Sequence, residues 1–186
     1  MRTAIAAAVV AGTLLLGGCN GDPSADPTPS SSATGTPTPT ESPTPELPPE
    51  PQLPVAATKR TDAGAEAFVR YWVETVNYAQ ATGDTDQLRR LQDAKCSWCA
   101  GGVRAIENLY QAGGRMEGGV FSVNRLRELP ADFGADWGTF GVARVSPQTV
   151  TSADGSTQSF EGGRQKMFVY TVWSERGWKI RWVRTP

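Results

Sequence analysis

The chain has 186 residues, with 18 Lys or Arg against 19 Asp or Glu and no His. The missing His excludes Ser-His-Asp and Cys-His catalysis and removes the commonest general base near neutral pH. Five of the acids but only one base lie within residues 1–54, which leaves residues 55–186 with a small positive excess. Scattered bases in so small an excess do not predict nucleic-acid binding.

The N-terminal segment has the parts of a signal peptide. Arg2 supplies a positive charge, residues 4–16 are mostly apolar, and a Leu-Gly-Gly-Cys tetrapeptide ends at Cys19. The apolar stretch is shorter than the roughly 20 residues that span a bilayer. The tetrapeptide resembles the lipobox of bacterial lipoprotein precursors, which implies cleavage after residue 18 and lipidation of Cys19. We therefore expect a lipid anchor on the extracytoplasmic side of the cell membrane, with an uncleaved anchor or an ordinary secretory signal as alternatives.

The region after Cys19 has the composition of a tether. Residues 20–54 are largely Pro, Ser and Thr, with almost no bulky apolar side chains. Such a segment cannot bury enough surface to offset its ordering entropy, and its Thr-Pro and Ser-Pro pairs favour extended conformations. We predict a disordered stalk at residues 19–57, either O-glycosylated or bare, and one folded domain at residues 58–186.

Three helices are predicted at the start of this domain. Between Asp62 and Thr82, apolar residues repeat with the spacing of an amphipathic helix, which Thr61 or Asp62 can cap and Gly83 can stop. A short helix is predicted over residues 86–93, with Thr85 as its cap, and a third over residues 100–112.

Strands are predicted in the second half, where β-branched and aromatic residues alternate with turn residues. The predicted strands are residues 120–129, 137–145, 164–173 and 178–184. Asp154-Gly155 is typical of a hairpin turn, and residues 175–177 of a three-residue hairpin loop. Helices followed by a meander of strands predict an α+β fold with an antiparallel sheet.

The last hairpin decides which side chains face the helices. A three-residue loop at 175–177 would place Phe168 and Tyr170 against the helices, and we expect this register. A two-residue loop would shift the register by one and place Met167 and Val169 there instead. In either register the strand over residues 164–173 is apolar on both faces, so both faces should be covered. We expect a homodimer through the outer face, with cover by the end of the stalk or by a loop as the alternative.

The order of these elements resembles the NTF2-like, cystatin-like superfamily. The resemblance covers residues 63–184 and implies helices packed in the concave face of a curved sheet, with a conical cavity between them. A narrower resemblance, to an uncharacterised family of actinobacterial lipoproteins of the DUF6318 type, is carried by four stretches of sequence. These are Ala-Gly-Ala-Glu-Ala-Phe-Val-Arg-Tyr-Trp at residues 63–72, Ala-Thr-Gly-Asp at 81–84, Cys-Ser-Trp-Cys at 96–99 and Glu-Gly-Gly at 117–119. That family has no known activity to transfer.

Cys96 and Cys99 are the strongest local signal of chemistry. In an exported chain, two cysteines this close are usually oxidised, and we expect a structural disulfide. A redox pair would need a thioredoxin-like strand-to-helix context, whereas this pair joins two predicted helices. A metal site would need two further ligands, while Cys19 is expected to be lipidated and His is absent.

The remaining candidate residues are weaker. The aromatic residues Tyr71, Trp72, Tyr78 and Tyr110 form a possible pocket, but core packing is the favoured interpretation of these residues. Catalytic members of the NTF2-like superfamily use a His–Asp pair or a tuned carboxylate in the cavity. Here only Glu74 or Glu107 could supply the carboxylate, and each could instead lie on a solvated helix face.

The glycine pairs of the chain do not form a phosphate-binding loop, and no cofactor or metal is expected. Arg70, Arg125 and Arg127 could meet an anion, yet nothing in the sequence brings them together. The favoured hypothesis is a tethered domain that binds a partner protein, an envelope component or a small apolar ligand without catalysis. An enzyme that uses a cavity carboxylate and a pure spacer module are the alternatives.

Overall fold

The structure, a computed structural model, describes residues 47–185, so Cys19, the predicted signal peptide and most of the predicted stalk lie outside the described residues. A 3-10 turn at Val55–Thr58 precedes three helices: α1 (Asp62–Thr82), α2 (Asp86–Leu91) and α3 (Ser97–Gln111). Seven strands follow: β1 (Arg115–Gly118), β2 (Phe121–Leu129), β3 (Trp137–Val145), β4 (Gln148–Thr151), β5 (Thr157–Phe160), β6 (Gly163–Ser174) and β7 (Gly177–Arg184). Within residues 47–185, no helix is long and apolar enough to cross a membrane.

The bounds of α1 are those predicted, because both of its ends carry specific signals. The Thr61 side chain accepts a hydrogen bond from the Gly64 N–H at 3.1 Å, which satisfies one free donor of the first turn. At the other end Gly83 takes a left-handed conformation with φ of 78°, which Gly adopts at little cost.

The other two helices differ from the prediction at their ends, and α3 stops at Gln111, one residue before its predicted end. Helix α2 stops at Leu91 rather than at residue 93, because Gln92 turns extended and forms a bridge with Ile180 of β7. Helix α3 begins at Ser97 rather than at residue 100, because Cys96 caps it and its sulfur accepts from the Cys99 N–H at 3.3 Å.

Two antiparallel sheets follow the helices, in the strand orders β2-β3-β6-β7 and β1-β4-β5. The α+β prediction is confirmed, and the strands of the larger sheet lie within about one residue of the predicted bounds. The smaller sheet was not predicted, because its strands have only four residues each and carry mostly polar side chains. The β4–β5 hairpin of this sheet does turn at Asp154-Gly155, where Gly155 has a positive φ.

The core lies between the helices and one face of the larger sheet. Phe68 and Val69 of α1 meet Val169 of β6 and Ile180 of β7 in one cluster, and all four are almost fully buried. Burial of large apolar side chains is the main favourable term in folding, so this interface between α1 and the sheet holds the domain together.

The expected register of the last hairpin was wrong next to the turn, and so was the face expected to meet the helices. Ser174 pairs with Gly177, so the loop is Glu175-Arg176 alone and Val169, not Phe168, faces the helices. Gly177 is the first residue of β7 rather than the last residue of the loop, which shifts the pairing next to the turn by one, so that Thr171 opposes Ile180. The two-residue register holds as far as Thr171, and a β-bulge between Tyr170 and Thr171 then restores the expected pairing of Tyr170 with Trp182.

The β2–β3 loop covers one end of the outer face, meaning the face of the larger sheet that points away from the helices. The ring of Phe133 stacks on Trp182 with centroids 4.3 Å apart and meets the edge of Tyr170 at 4.9 Å. Phe133 holds a left-handed φ of 55°, which is uncommon for a bulky residue and is maintained here by these contacts. The homodimer stays a prediction, since the described contacts are within one chain.

Candidate functional site

An apolar cleft opens between the helices and the start of the sheets. Its volume is about 210 Å³, and a pocket of about 60 Å³ adjoins it through Trp72, Val76, Trp98 and Phe121. The cleft is lined by Trp72, Val76, Gln80, Leu88, Trp98, Cys99, Gly102, Val103, Ala105, Ile106, Met116 and Phe121. None of these lining residues carries a charge, so the walls favour an uncharged ligand.

Helical spacing explains how the two long walls form. Trp72, Val76 and Gln80 are four residues apart on α1 and therefore share one face of that helix. On α3, Gly102 and Ala105 put small residues where a larger side chain would close the cleft. A Cβ atom added at Gly102 would meet nothing within 4 Å, so the opening exists partly because this residue lacks a side chain.

A disulfide sits at the rim of the cleft. Cys96 and Cys99 are bonded, which confirms the predicted disulfide, and both lie at the first turn of α3. Trp98 lies between them in the chain, is 47% exposed and lines the cleft. The crosslink thus constrains the turn that holds Trp98 at the mouth.

Trp72, one of the residues that line the cleft, has a buried hydrogen-bond donor. The residue is only 4% exposed, and its indole N–H has no acceptor among residues 47–185. A buried donor without an acceptor costs about 1–3 kcal/mol. A polar group of this kind marks a place where an acceptor on a ligand would be stabilising.

The structure does not bring the four predicted pocket aromatics together. Trp72 lines the cleft, whereas Tyr71 is buried in the core, where burial raises the pKa of its phenol. The hydroxyl of Tyr78 points to Asp84 at 3.5 Å, near the end of α1. The hydroxyl of Tyr110 donates to the Gln80 carbonyl at 2.6 Å and accepts from the Met116 N–H at 3.3 Å, so it joins α3 to its neighbours.

The two candidate carboxylates lie outside the cleft lining. Glu74 is exposed on α1. Glu107 accepts a hydrogen bond from the Thr85 hydroxyl at 2.6 Å and pairs with Arg89 at 3.1 Å. Within residues 47–185 no cluster of His, Cys, Asp or Glu is arranged to hold a metal ion.

The protein is thus an α+β domain in which helices pack on antiparallel sheets. The uncharged cleft between them is its candidate ligand site. The chain belongs to the DUF6318 family, described as a family of unknown function, which it matches over residues 33–184. No curated protein matches the chain in sequence.

Several solved structures are similar to the chain at low identity. The intermembrane space region of the chloroplast protein ARC6 is 16% identical, with a TM-score of 0.46 over 68% of this chain and 98% of that one. Aln2 from a Streptomyces species is 15% identical, with a TM-score of 0.43 over 69% and 94% of the two chains. An uncharacterized protein with a cystatin-like fold from Caulobacter vibrioides is 8% identical, with a TM-score of 0.41 over 66% and 88%. These similarities concern architecture and indicate nothing about function.

Proposed function

We propose that this chain is an envelope lipoprotein, held to the membrane by lipid on Cys19, whose folded domain binds a small apolar ligand without catalysis. The observation that carries the ligand proposal is the uncharged cleft beside α1, with the unpartnered Trp72 N–H in its wall. The lipobox-like tetrapeptide and the Pro, Ser and Thr-rich residues that follow it support the tether.

The cleft restricts what the ligand can be. Its volume lies below the roughly 300–1,000 Å³ of sites for drug-sized molecules, so it suits a small ring system or part of a chain. A charged group would be desolvated against apolar walls at a large cost. A carbonyl oxygen that reaches the Trp72 N–H as the wall adjusts would regain a missing hydrogen bond. The class of ligand is therefore small, neutral and mostly apolar, with one acceptor.

The test of the cleft uses 1-indanone, a small neutral ketone, and indane, which lacks the oxygen. We expect 1-indanone to shift the indole N–H signals of Trp72 and Trp98 in two-dimensional NMR spectra of the full chain carrying Cys19→Ser. Indane should perturb the same residues without moving the Trp72 N–H downfield, because it offers no acceptor. Absence of saturable shifts with either compound would contradict the proposal.

A matched pair of glycine variants locates the binding. Gly102→Leu should abolish the shifts, because the new side chain enters the cleft, where its Cβ has room. Gly101→Leu is the control, since its Cβ also meets nothing within 4 Å but Gly101 does not line the cleft. Equal binding by the two variants would place the ligand elsewhere.

Attachment to the membrane is tested separately from binding. The full chain expressed in an actinobacterial host should enter the detergent phase of Triton X-114 and carry the added mass of a diacylglyceryl group. Cys19→Ala removes the thiol that would be alkylated, so this variant should stay in the aqueous phase. Detergent partitioning and mass that do not depend on Cys19 would disprove lipidation at this residue.

A further inference from the structure

A groove on the outer face of the larger sheet collects four arginines. This arginine groove has a volume of about 360 Å³ and shares no lining residue with the apolar cleft. It is lined by Asn124, Arg125, Arg127, Phe140, Val142, Arg144 and Arg164. No carboxylate is among these residues, and none of the four arginines forms an ion pair with another residue of the range 47–185.

Strand register brings together arginines that are distant in sequence. Arg144 of β3 lies directly opposite Arg164 of β6, and Arg127 of β2 lies opposite Phe140 of β3. Like charges directly opposite each other on a sheet are destabilising. Folding alone therefore gains nothing from the Arg144–Arg164 pair, whereas an anion placed between the two would be stabilised by both.

A β-bulge adds Arg125 to the same group. The register of β2 shifts between Val123 and Leu126, so Asn124 and Arg125 together oppose the single residue Val142. Strict alternation would have turned Arg125 to the helix side together with Val123. The extra residue of the bulge turns the Arg125 side chain to the outer face, where it lines the groove beside Arg127.

Arg70 of α1 holds this bulge from the other side of the sheet. Its guanidinium donates to the Val123 carbonyl at 2.7 Å and to the Asn124 carbonyl at 3.4 Å. Glu66 in turn forms an ion pair with Arg70 at 2.7 Å, which fixes the orientation of the guanidinium group. Arg70 is thus a positioning residue for the groove and does not line it.

We propose that the arginine groove binds a small organic phosphate. Guanidinium groups form paired hydrogen bonds to phosphate oxygens, and a phosphate group concentrates nearly two negative charges in a compact volume. Phe140 and Val142 provide an apolar surface between the arginines for the carbon part of the ligand. The groove volume lies within the range of small-molecule sites, which favours a compact ligand over an extended polymer.

Calorimetric titration of the full chain carrying Cys19→Ser with phenyl phosphate tests the proposal. We expect saturable binding that weakens as NaCl is raised and that is tighter than binding of inorganic phosphate or benzoate. The double variant Arg144→Gln, Arg164→Gln should weaken phenyl phosphate binding at least about tenfold, since it removes two guanidinium groups that can form charge-assisted hydrogen bonds to the phosphate. The control Arg104→Gln removes an exposed arginine on α3 outside the groove and should leave the affinity unchanged.

Three results would overturn the assignment. Phenyl phosphate that does not bind, or that binds the double variant as tightly as the parent chain, would show that the groove is not the site. Benzoate or inorganic phosphate binding as tightly as phenyl phosphate would show that the ligand is not an organic phosphate. Co-sedimentation with phosphatidylglycerol vesicles that phenyl phosphate cannot displace would identify the groove as a contact for a lipid surface instead.

Discussion

Replacing Val169 with Asp is expected to unfold the folded domain. Val169 is completely buried on the face of β6 that meets α1, and it lies in the same cluster as Phe68 and Ile180. A carboxylate there would have no partner, and an unpaired buried charge costs more than the roughly 5–15 kcal/mol by which small domains are usually stable, unless it becomes protonated. Circular dichroism and urea titration of Val169→Asp should show loss of the cooperative unfolding transition.

The neighbouring residue gives a matched control for this substitution. Phe168 lies on the outer face, is only partly buried and packs against Phe140 with ring centroids 5.1 Å apart. Phe168→Asp should therefore keep a cooperative transition with a reduced midpoint. If Phe168→Asp unfolded the chain while Val169→Asp did not, Phe168 rather than Val169 would face the helices. Because Val169 faces the helices, Phe168→Asp is also the variant that tests a homodimer through the outer face, by analytical ultracentrifugation.

Replacing Gly64 with Ala is expected to destabilise the domain, although Ala is normally the better helix former. A Cβ atom at Gly64 would lie 2.1 Å from the Lys59 carbonyl oxygen and 2.9 Å from that of Ala56. Both atoms belong to the backbone of the segment that packs on the start of α1, so the helix and this segment must separate. Overpacking of this kind costs about 1–3 kcal/mol, occasionally more, and the measurement is the urea midpoint of Gly64→Ala.

A Gly→Ala substitution at another helical position should have the opposite effect on stability. Gly101 also lies inside a helix, but a Cβ there meets nothing within 4 Å. Gly101→Ala should therefore stabilise the domain by about 0.5–1 kcal/mol, the usual gain from removing a helical glycine. Stabilisation by both substitutions would mean that residues 56–59 do not pack on α1 as described.

The sequence predicted the elements that carry redundant signals. Helix α1 has an apolar stripe, a capping Thr61 and a terminating Gly83, and its bounds were predicted at both ends. The last hairpin has one ambiguous residue, because Gly177 suits either the end of a three-residue loop or the start of β7. Loop length decides the pairing next to the turn, and the bulge between Tyr170 and Thr171 decides it beyond; no local pattern indicates either.

The candidate site was predicted only in part, because its signals are spread along the chain. Trp72 was expected to line a pocket, and its position on the apolar stripe of α1 made that visible. Gly102 contributes to the cleft by having no side chain, and a missing side chain gives no sequence signal for a binding site. Arg125 joins the other groove arginines through a bulge, which depends on the pairing of β2 with β3 rather than on β2 alone.

Helix α1 carries a residue of the apolar cleft and the residue that supports the arginine groove. Trp72 lines the apolar cleft, and Arg70, two residues earlier, holds the carbonyls of the bulge that aims Arg125 into the groove. A ligand that displaced α1 on entering the cleft would therefore move the support of the groove. Linkage requires the effect to be mutual, so occupancy of the groove would change the affinity of the cleft by the same factor.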